Sequence, residues 1–329
     1  MSDSRNEMDK SLHDLFSALQ RRPNPKQALR SSGQLNKWVT AARRTLKTDD
    51  GIVIDESRLS WIVASAVVVA VLQRVRNVEN DVIFLLKGGT YLQYRLGLAT
   101  RATRDVDGLI RGNFEQFFDE LDAVLREKWG DLEISRTEVD IINVPGKAEK
   151  PCRFTVKLSV RGTVWRSIKV EVSPAEGGIG SEVDQLVAPP LQGFGIPTPE
   201  QLFGITLRGQ IAQKLHAVSD PHVPPTSVND RARDLVDLLL IREVVQSEGL
   251  LTPLDLREVC LEVFESRQRE AEGLKYPGRT WPPVVVAHSH WAIDYRHASA
   301  QANLSLTMDE AVAKVNKWIA EIASATRSS

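Results

Sequence analysis

The sequence has few cysteines, no long apolar run and almost no net charge, and each absence excludes a class of protein. Only two cysteines, Cys152 and Cys260, occur among 329 residues, which excludes a disulfide framework and gives no zinc-binding spacing. The longest apolar run, residues 61–72, is shorter than the roughly 20 residues that cross a bilayer. The 42 basic and 43 acidic side chains leave a net charge of −1. A uniformly basic nucleic-acid coat is thereby excluded, whereas a local basic patch is not.

A targeting segment is also missing, because residues 1–5 are polar and mixed in charge with no apolar stretch behind them. With both cysteines interpreted as reduced core thiols, this predicts a cytoplasmic protein that does not associate with membranes. The apolar fraction of 42% and the charged fraction of 26% are those of a globular chain. The length is sufficient for about two domains.

Acidic residues are absent from one segment, residues 21–47. The basic residues of that segment are Arg21, Arg22, Lys26, Arg30, Lys37, Arg43, Arg44 and Lys47. In a chain of near-zero net charge this local excess predicts an RNA-binding surface, with Trp38 available for base stacking. The alternative is an ordinary solvated face.

The spacing of apolar residues divides the chain into three regions. Residues 1–80 are predicted to be helical and include the basic segment 21–47. Residues 81–190 interleave short strands with helices, which predicts an α/β core around a small mixed sheet. Residues 191–329 are predicted to form a mainly helical C-terminal domain. Within it, Thr198-Pro199-Glu200-Gln201 favours a helix start, with Thr as N-cap, Pro at N1 and Gln at N3.

Candidate chemistry begins where an apolar strand formed by residues 82–86 meets Lys87-Gly88-Gly89-Thr90. Backbone N–H groups at such a turn and helix start can cradle a phosphate, and glycine lets the backbone come close. The next predicted strand presents Asp105 and Asp107 on one face, about 6 to 7 Å apart. Two carboxylates at that separation suit Mg²⁺, which takes one or two carboxylates together with substrate phosphates.

A third carboxylate is predicted on the strand 168–173, where Lys169, Glu171 and Ser173 share the polar face. Glu171 could complete a two-metal site for phosphoryl or nucleotidyl transfer, or act as the base for an attacking hydroxyl. Further along the chain, Arg231 and Asp234 are spaced to touch on one helix face, where a simple surface ion pair is the alternative interpretation.

Taken in order, these motifs resemble the DNA polymerase β-like nucleotidyltransferase superfamily. They resemble more closely the AbiEii/AbiGii toxin nucleotidyltransferases, which include the MenT-type toxins. The resemblance is carried by residues 87–90, 101–107, 169–173, 213–217 and 231–237 and covers about residues 81–245. It implies a polymerase β-like nucleotidyltransferase core in region 81–190, followed by the helical C-terminal domain.

The resemblance also implies roles for particular residues. The implied metal ligands, for two Mg²⁺ ions, are Asp105, Asp107 and Glu171. The implied nucleotide-binding residues are Lys87, Gly88, Gly89, Thr90, Arg104, Lys214 and Arg231. The implied catalytic residues are Asp105, Asp107, Glu171, Lys214 and Asp234. Lys214 would neutralise charge that develops on the phosphates.

As a function, the resemblance implies a Mg²⁺-dependent toxin of a toxin–antitoxin or abortive-infection system. Such an enzyme would transfer NMP from an NTP to RNA, at the 3′ end of tRNA, and so block translation. A cognate antitoxin is implied as a partner. Two alternatives remain open at this point: a nucleotidyltransferase that modifies a protein or small molecule, and a non-catalytic nucleotide-sensing module. The complete carboxylate set argues against the second alternative.

Overall fold

The computed structural model describes residues 12–13, 15–20, 28–46, 55–97, 100–144, 146–225, 227–249 and 251–326. The helices are α1 (Ser32–Thr45), α2 (Glu56–Leu72), α3 (Gly88–Leu96), α4 (Phe114–Val124), α5 (Leu207–Val218), α6 (Ala232–Glu248), α7 (Pro253–Gly273), α8 (Ala292–Gln301) and α9 (Met308–Ala323). The strands are β1 (Phe84–Lys87), β2 (Asp105–Ile110), β3 (Glu133–Arg136), β4 (Asp140–Ile141), β5 (Cys152–Val160), β6 (Thr163–Pro174), β7 (Val183–Leu186) and β8 (Leu202–Ile205).

The strands form one mixed sheet in the order β3-β5-β6-β2-β1-β8-β7, with β4 also paired to β5. The pairs β1–β8 and β2–β6 are parallel, and the remaining pairs are antiparallel. The predicted α/β class with a small mixed sheet is therefore confirmed. The helices after residue 205 pack against one another, so the predicted helical C-terminal region is present.

The helix start predicted at Thr198 is wrong. Residues 197–200 have no regular structure, and Leu202–Ile205 form β8, which pairs with both β1 and β7. Gly204 makes this possible, because a Cβ there would lie 2.9 Å from the Leu86 carbonyl oxygen and 2.6 Å from the Tyr91 ring. Sheet pairing thus overrides the local capping signal, and α5 starts later, with Thr206 as its N-cap.

A single cluster of buried apolar side chains runs through all three predicted regions, with Leu35, Val106 and Leu238 among its members. Strand β8 joins the sheet although it follows residue 190. The boundaries at residues 80 and 190 stay predictions. None of the helices in the described ranges combines the length and the apolar character needed to cross a membrane.

Candidate active site

The centre of the sheet carries a row of charged residues across four strands. Lys87 on β1 lies opposite Asp107 on β2, Asp107 lies opposite Glu171 on β6, and Glu171 lies opposite Arg153 on β5. Because residues opposite each other in a sheet project from the same face, this register brings Lys87, Asp107 and Glu171 together. Asp105 joins the face, since it lies two residues before Asp107 on the same strand.

Two cations, Lys169 and Arg153, form ion pairs with the carboxylates of Asp105 and Glu171. The Lys169 ammonium lies 3.1 Å from Asp105 Oδ1 and 3.4 Å from Glu171 Oε1. Arg153 Nη2 lies 2.8 Å from the same Glu171 oxygen. The position between the two carboxylates therefore attracts a cation, and in this structure Lys169 fills it.

Asp107 has a different environment from its two acidic neighbours. Burial raises its pKa to about 6, the charges of Glu171 and Asp105 act in the same direction, and Lys87 opposes them. Burial likewise lowers the pKa of Lys87, whose Nζ lies 2.5 Å from Ser173 Oγ. A bound cation would stabilise the Asp107 carboxylate, because burial disfavours its charged form.

The Gly-Gly turn packs directly against Asp107. Gly88 has φ +67°, and a Cβ at this position would lie 2.6 Å from Asp107 Oδ2, so only glycine fits. The Gly88 N–H donates to Gln210 Oε1 at 3.0 Å. The Thr90 hydroxyl donates to the Asp105 carbonyl at 2.7 Å. In this structure Thr90 holds the start of β2, and the first N–H of α3 is already hydrogen-bonded.

A second charge network lies between helices α5 and α6. Lys214 Nζ is 2.6 Å from Asp234 Oδ1 and 2.7 Å from Asp237 Oδ2. Arg101 makes two hydrogen bonds of 2.8 Å to Asp237. Burial would raise the pKa of Asp234, but Lys214, Arg231 and Arg101 outweigh it and hold the pKa below its ordinary value. All these charges are paired, as buried charges must be.

This second network and the sheet face are adjacent. A Cβ at Gly89 would lie 3.5 Å from Arg101 Nη2, so the Arg101 guanidinium reaches from Asp237 to the Gly-Gly turn. Lys214 also acts electrostatically on the Asp107 carboxyl. The structure thus brings together the predicted residues Lys87, Gly88, Gly89, Thr90, Asp105, Asp107, Glu171, Lys214 and Asp234.

Two predicted phosphate-binding arginines have exposed side chains. Arg231 is 54% exposed and lies 3.7 Å from Asp234 Oδ2, at the spacing that the sequence predicts. Arg104 is exposed, and its carbonyl accepts a hydrogen bond from Trp61 Nε1 at 3.2 Å. Their nucleotide-binding role stays a prediction.

The basic segment 21–47 is described only in part. Arg21, Arg22, Lys26 and Lys47 lie outside the described residues, whereas Arg30, Lys37, Arg43 and Arg44 are exposed. The predicted stacking role of Trp38 is wrong for this structure, because Trp38 packs in the core and is 4% exposed. Helix α1 contacts β6 through Asn36, which accepts from Trp165 Nε1 at 2.9 Å. Trp165 precedes Glu171 by six residues, or about 20 Å of strand.

Several residues that complete the site have no predicted role: Arg101, Arg153, Lys169, Gln210 and Asp237. Arg101 and Asp237 fall within the motifs at residues 101–107 and 231–237, but the contact between them joins residues 136 positions apart. Gln210 precedes Lys214 by one helical turn and therefore lies on the same face of α5. That spacing is the one local signal that could have identified Gln210.

Whether the acidic face fits Mg²⁺ depends on its donor set. Across the described ranges, no group of three His, Cys, Asp or Glu side chains is arranged to hold a metal ion. Asp105 and Asp107 nevertheless offer hard oxygen ligands on one face, which fits a Mg²⁺ ion that shares its coordination with phosphates. Glu171 fits as a third ligand only if it exchanges its ion pairs with Lys169 and Arg153.

A buried histidine lies on the side of α5 that faces α7. Arg267 Nη1 and Arg279 Nη2 lie 2.8 and 2.7 Å from His216 Nδ1. Burial lowers the pKa of His216 far below its ordinary value of 6.5, and the charges of Arg267, Arg279 and Lys147 lower it further. His216 is therefore neutral in the folded protein at any ordinary pH.

This neutral histidine makes folding sensitive to acid. Below pH 6.5 the unfolded chain binds a proton at His216 that the folded chain does not, so stability is lost as pH falls. The loss from this group should approach about 1.4 kcal/mol per pH unit. A His216→Gln variant, which keeps an acceptor for the arginines, should show a shallower decline between pH 6.5 and 4.5 in urea unfolding. Parallel declines for the two proteins would refute this assignment.

Comparison with known proteins adds a family match to this geometry. The sequence model of a family described as "Nucleotidyl transferase AbiEii toxin, Type IV TA system" matches residues 70–314. The match extends beyond the predicted range 81–245 and includes α7 and α8. Among solved structures, MenT4, a nucleotidyltransferase toxin from Mycobacterium tuberculosis H37Rv, is similar at 16% identity with a TM-score of 0.47, over 89% of this chain and 99% of that chain. No curated protein matches the sequence.

Proposed function

The chain belongs to the AbiEii family of nucleotidyltransferase toxins of type IV toxin–antitoxin systems, and we propose that it transfers NMP from an NTP to RNA. The family membership confirms the predicted enzyme class and implies a cognate antitoxin. The proposed acceptor is the 3′ end of tRNA, whose modification would block aminoacylation and translation. The observation that best supports nucleotidyl transfer here is the row of Lys87, Asp107 and Glu171 directly beside the Gly88–Gly89 turn.

In this proposal the triphosphate lies at the start of α3, where the helix dipole and the backbone N–H groups that follow Gly88 favour an anion. Lys87 and Arg101 add positive charge on either side of the turn. Asp105 and Asp107 would hold Mg²⁺, and Glu171 would join them or take a proton from the acceptor. A bound Mg²⁺ would neutralise negative charge on the phosphates.

The reaction forms one bond and breaks one. The acceptor hydroxyl oxygen attacks the α-phosphorus of the NTP, the bond to the β-phosphate breaks, and pyrophosphate leaves. The hydroxyl proton passes to a carboxylate on the sheet face. Lys214 can approach the phosphates only with its third N–H, because Asp234 and Asp237 accept the other two. The exposed Arg30, Lys37, Arg43 and Arg44 would contact phosphates of the RNA.

Transfer of label from each of four α-labelled NTPs, with Mg²⁺, onto total RNA and total protein tests this function. We expect the wild type to label tRNA-sized RNA and the Asp105→Asn variant to lose that label. Asp131→Asn, which removes an exposed acid, is the control and should label normally. Label in protein would show that the acceptor is a protein and not RNA. Label that survives in Asp105→Asn would show that the proposed active site is wrong.

A further inference from the structure

Gln210 on α5 is almost fully buried, at 2% exposure, and touches the Gly-Gly turn. Its Oε1 accepts the Gly88 N–H at 3.0 Å. A backbone N–H can only be accepted by the oxygen of an amide, so this contact fixes which way the side chain is oriented. The other end of the amide, Nε2, is buried and has no hydrogen-bond partner in the described structure.

An unpaired buried donor destabilises a protein by about 1–3 kcal/mol. An apolar side chain of similar volume, such as methionine, would avoid that penalty but would leave the Gly88 N–H without this acceptor. The two penalties are similar in size, so the difference in stability between glutamine and methionine at this position is small. The feature that glutamine offers and methionine lacks is the oxygen that binds Gly88.

We propose that Gln210 is a positioning residue that holds the Gly88–Gly89 turn against Asp107, an inference that rests on the nucleotidyl transfer proposed above. The turn needs such a restraint because Gly88 has φ +67° and its Cα leaves no room for a Cβ beside Asp107 Oδ2. Glycine is also the residue with the most backbone freedom to lose when it is fixed.

The hydrogen bond to Gln210 also determines which backbone N–H groups at the start of α3 can bind a ligand. With the Gly88 N–H taken by Gln210, the N–H groups of Gly89 and Thr90 remain for the triphosphate. Gln210 lies one helical turn before Lys214 on the same helix. Helix α5 therefore contacts the Gly88–Gly89 turn through Gln210 and contacts Asp234 and Asp237 through Lys214. The helix fixes the distance between these two parts of the site.

Two substitutions test the acceptor oxygen and its reach. Gln210→Met keeps the volume and removes the acceptor. Gln210→Asn keeps the amide but draws its oxygen back by one methylene group. The matched control is Gln34→Met on α1, because Gln34 also accepts a backbone N–H, from Arg30 at 2.7 Å, and also has an unpartnered Nε2.

Each variant would be measured for kcat and KM in NMP transfer, for NTP affinity by calorimetry, and for thermal unfolding. A misplacement near 1 Å costs on the order of 10²-fold in rate, so Gln210→Met and Gln210→Asn should lose about 10- to 100-fold in kcat. Both should also bind NTP about tenfold more weakly. Gln34→Met should bind NTP within about threefold of wild type, and the unfolding temperatures of all variants should be similar.

The proposal is overturned if Gln210→Met keeps wild-type transfer and affinity. It is also overturned if Gln210→Asn keeps wild-type transfer and affinity, because the reach of the acceptor oxygen would then not matter. Calorimetry needs no acceptor, so a wild type that binds NTP but does not modify RNA would contradict the proposed function alone. The Gln210 comparison would then be decided on affinity.

Discussion

Asp107→Asn should abolish nucleotidyl transfer and, in the absence of metal, make the protein more stable. The rate should fall by about a thousandfold, because the lost charge stabilisation is several kcal/mol and each 1.36 kcal/mol is a factor of ten. Label transfer to RNA would measure this. A variant within tenfold of wild type would show that Asp107 is not part of the chemistry.

The gain in stability follows from the pKa of the same residue. Burial raises the pKa of Asp107 from 3.8 to about 6, so the folded protein binds a proton that the unfolded chain releases. The wild type is therefore progressively destabilised as pH rises from about 4 to about 6, and then no further. Asparagine carries no charge to bury, so the variant should gain up to about 3 kcal/mol at pH 8.

Urea unfolding with a chelator present would give the free energy of unfolding at pH 4 and at pH 8. The difference between the two pH values separates the effect of the buried charge from changes in stability that do not depend on pH. The stabilisation should be small at pH 4 and large at pH 8. Asp131→Asn, at an exposed site, should show no such pH dependence. Equal stability of Asp107→Asn and wild type at pH 8 would mean that the carboxylate is not desolvated in the folded protein.

Lys214→Met is expected to be strongly destabilising. The Lys214 ammonium is nearly inaccessible and lies within 2.7 Å of oxygens on both Asp234 and Asp237. Removing one member of a buried charge network leaves uncompensated charge and typically costs about 3–5 kcal/mol. Denaturant unfolding at pH 7 would measure the loss.

The matched control is Lys128→Met, which removes an exposed ion pair of similar length. Lys128 Nζ lies 3.0 Å from Glu133 Oε1, and the two side chains are 60% and 38% exposed. Water screens such a pair, so its loss should cost only a small fraction of the loss in Lys214→Met. Similar losses for the two variants would show that the Lys214 network is not stabilised by its burial. A Lys214→Met, Asp234→Asn double variant should recover part of the loss, because it removes one of the uncompensated charges.

The N-terminal segment shows how composition can mislead about individual residues. The excess of basic residues correctly predicts exposed charged side chains at Lys37, Arg43 and Arg44. It carried no information about Trp38, which lies on the opposite, buried side of the same helix. Helical periodicity separates the two faces, and the aromatic side chain follows the apolar one.

The spacing of residues in the sequence was sufficient to predict contacts between side chains that lie on the same strand or the same helix. The two-residue period of a strand placed Asp105 and Asp107 on one face, and the three-residue spacing on a helix placed Arg231 beside Asp234. The Gly88–Gly89 turn followed from the strand that precedes it and the helix that follows. The enzyme class followed from the order of these motifs, which the family match confirms.

The residue types and local periods of each segment therefore specify the chemistry that the segment can offer. Which segments meet depends on tertiary packing. The parallel register of β2 and β6 sets Glu171 beside Asp107, and a shift of one residue would have turned Glu171 to the other face. The packing of α5 on α6 inserts Lys214 between Asp234 and Asp237, and Gln210 meets Gly88 across 122 positions of chain. Such contacts depend on how separate elements bury their apolar faces together, and no short-range pattern encodes that.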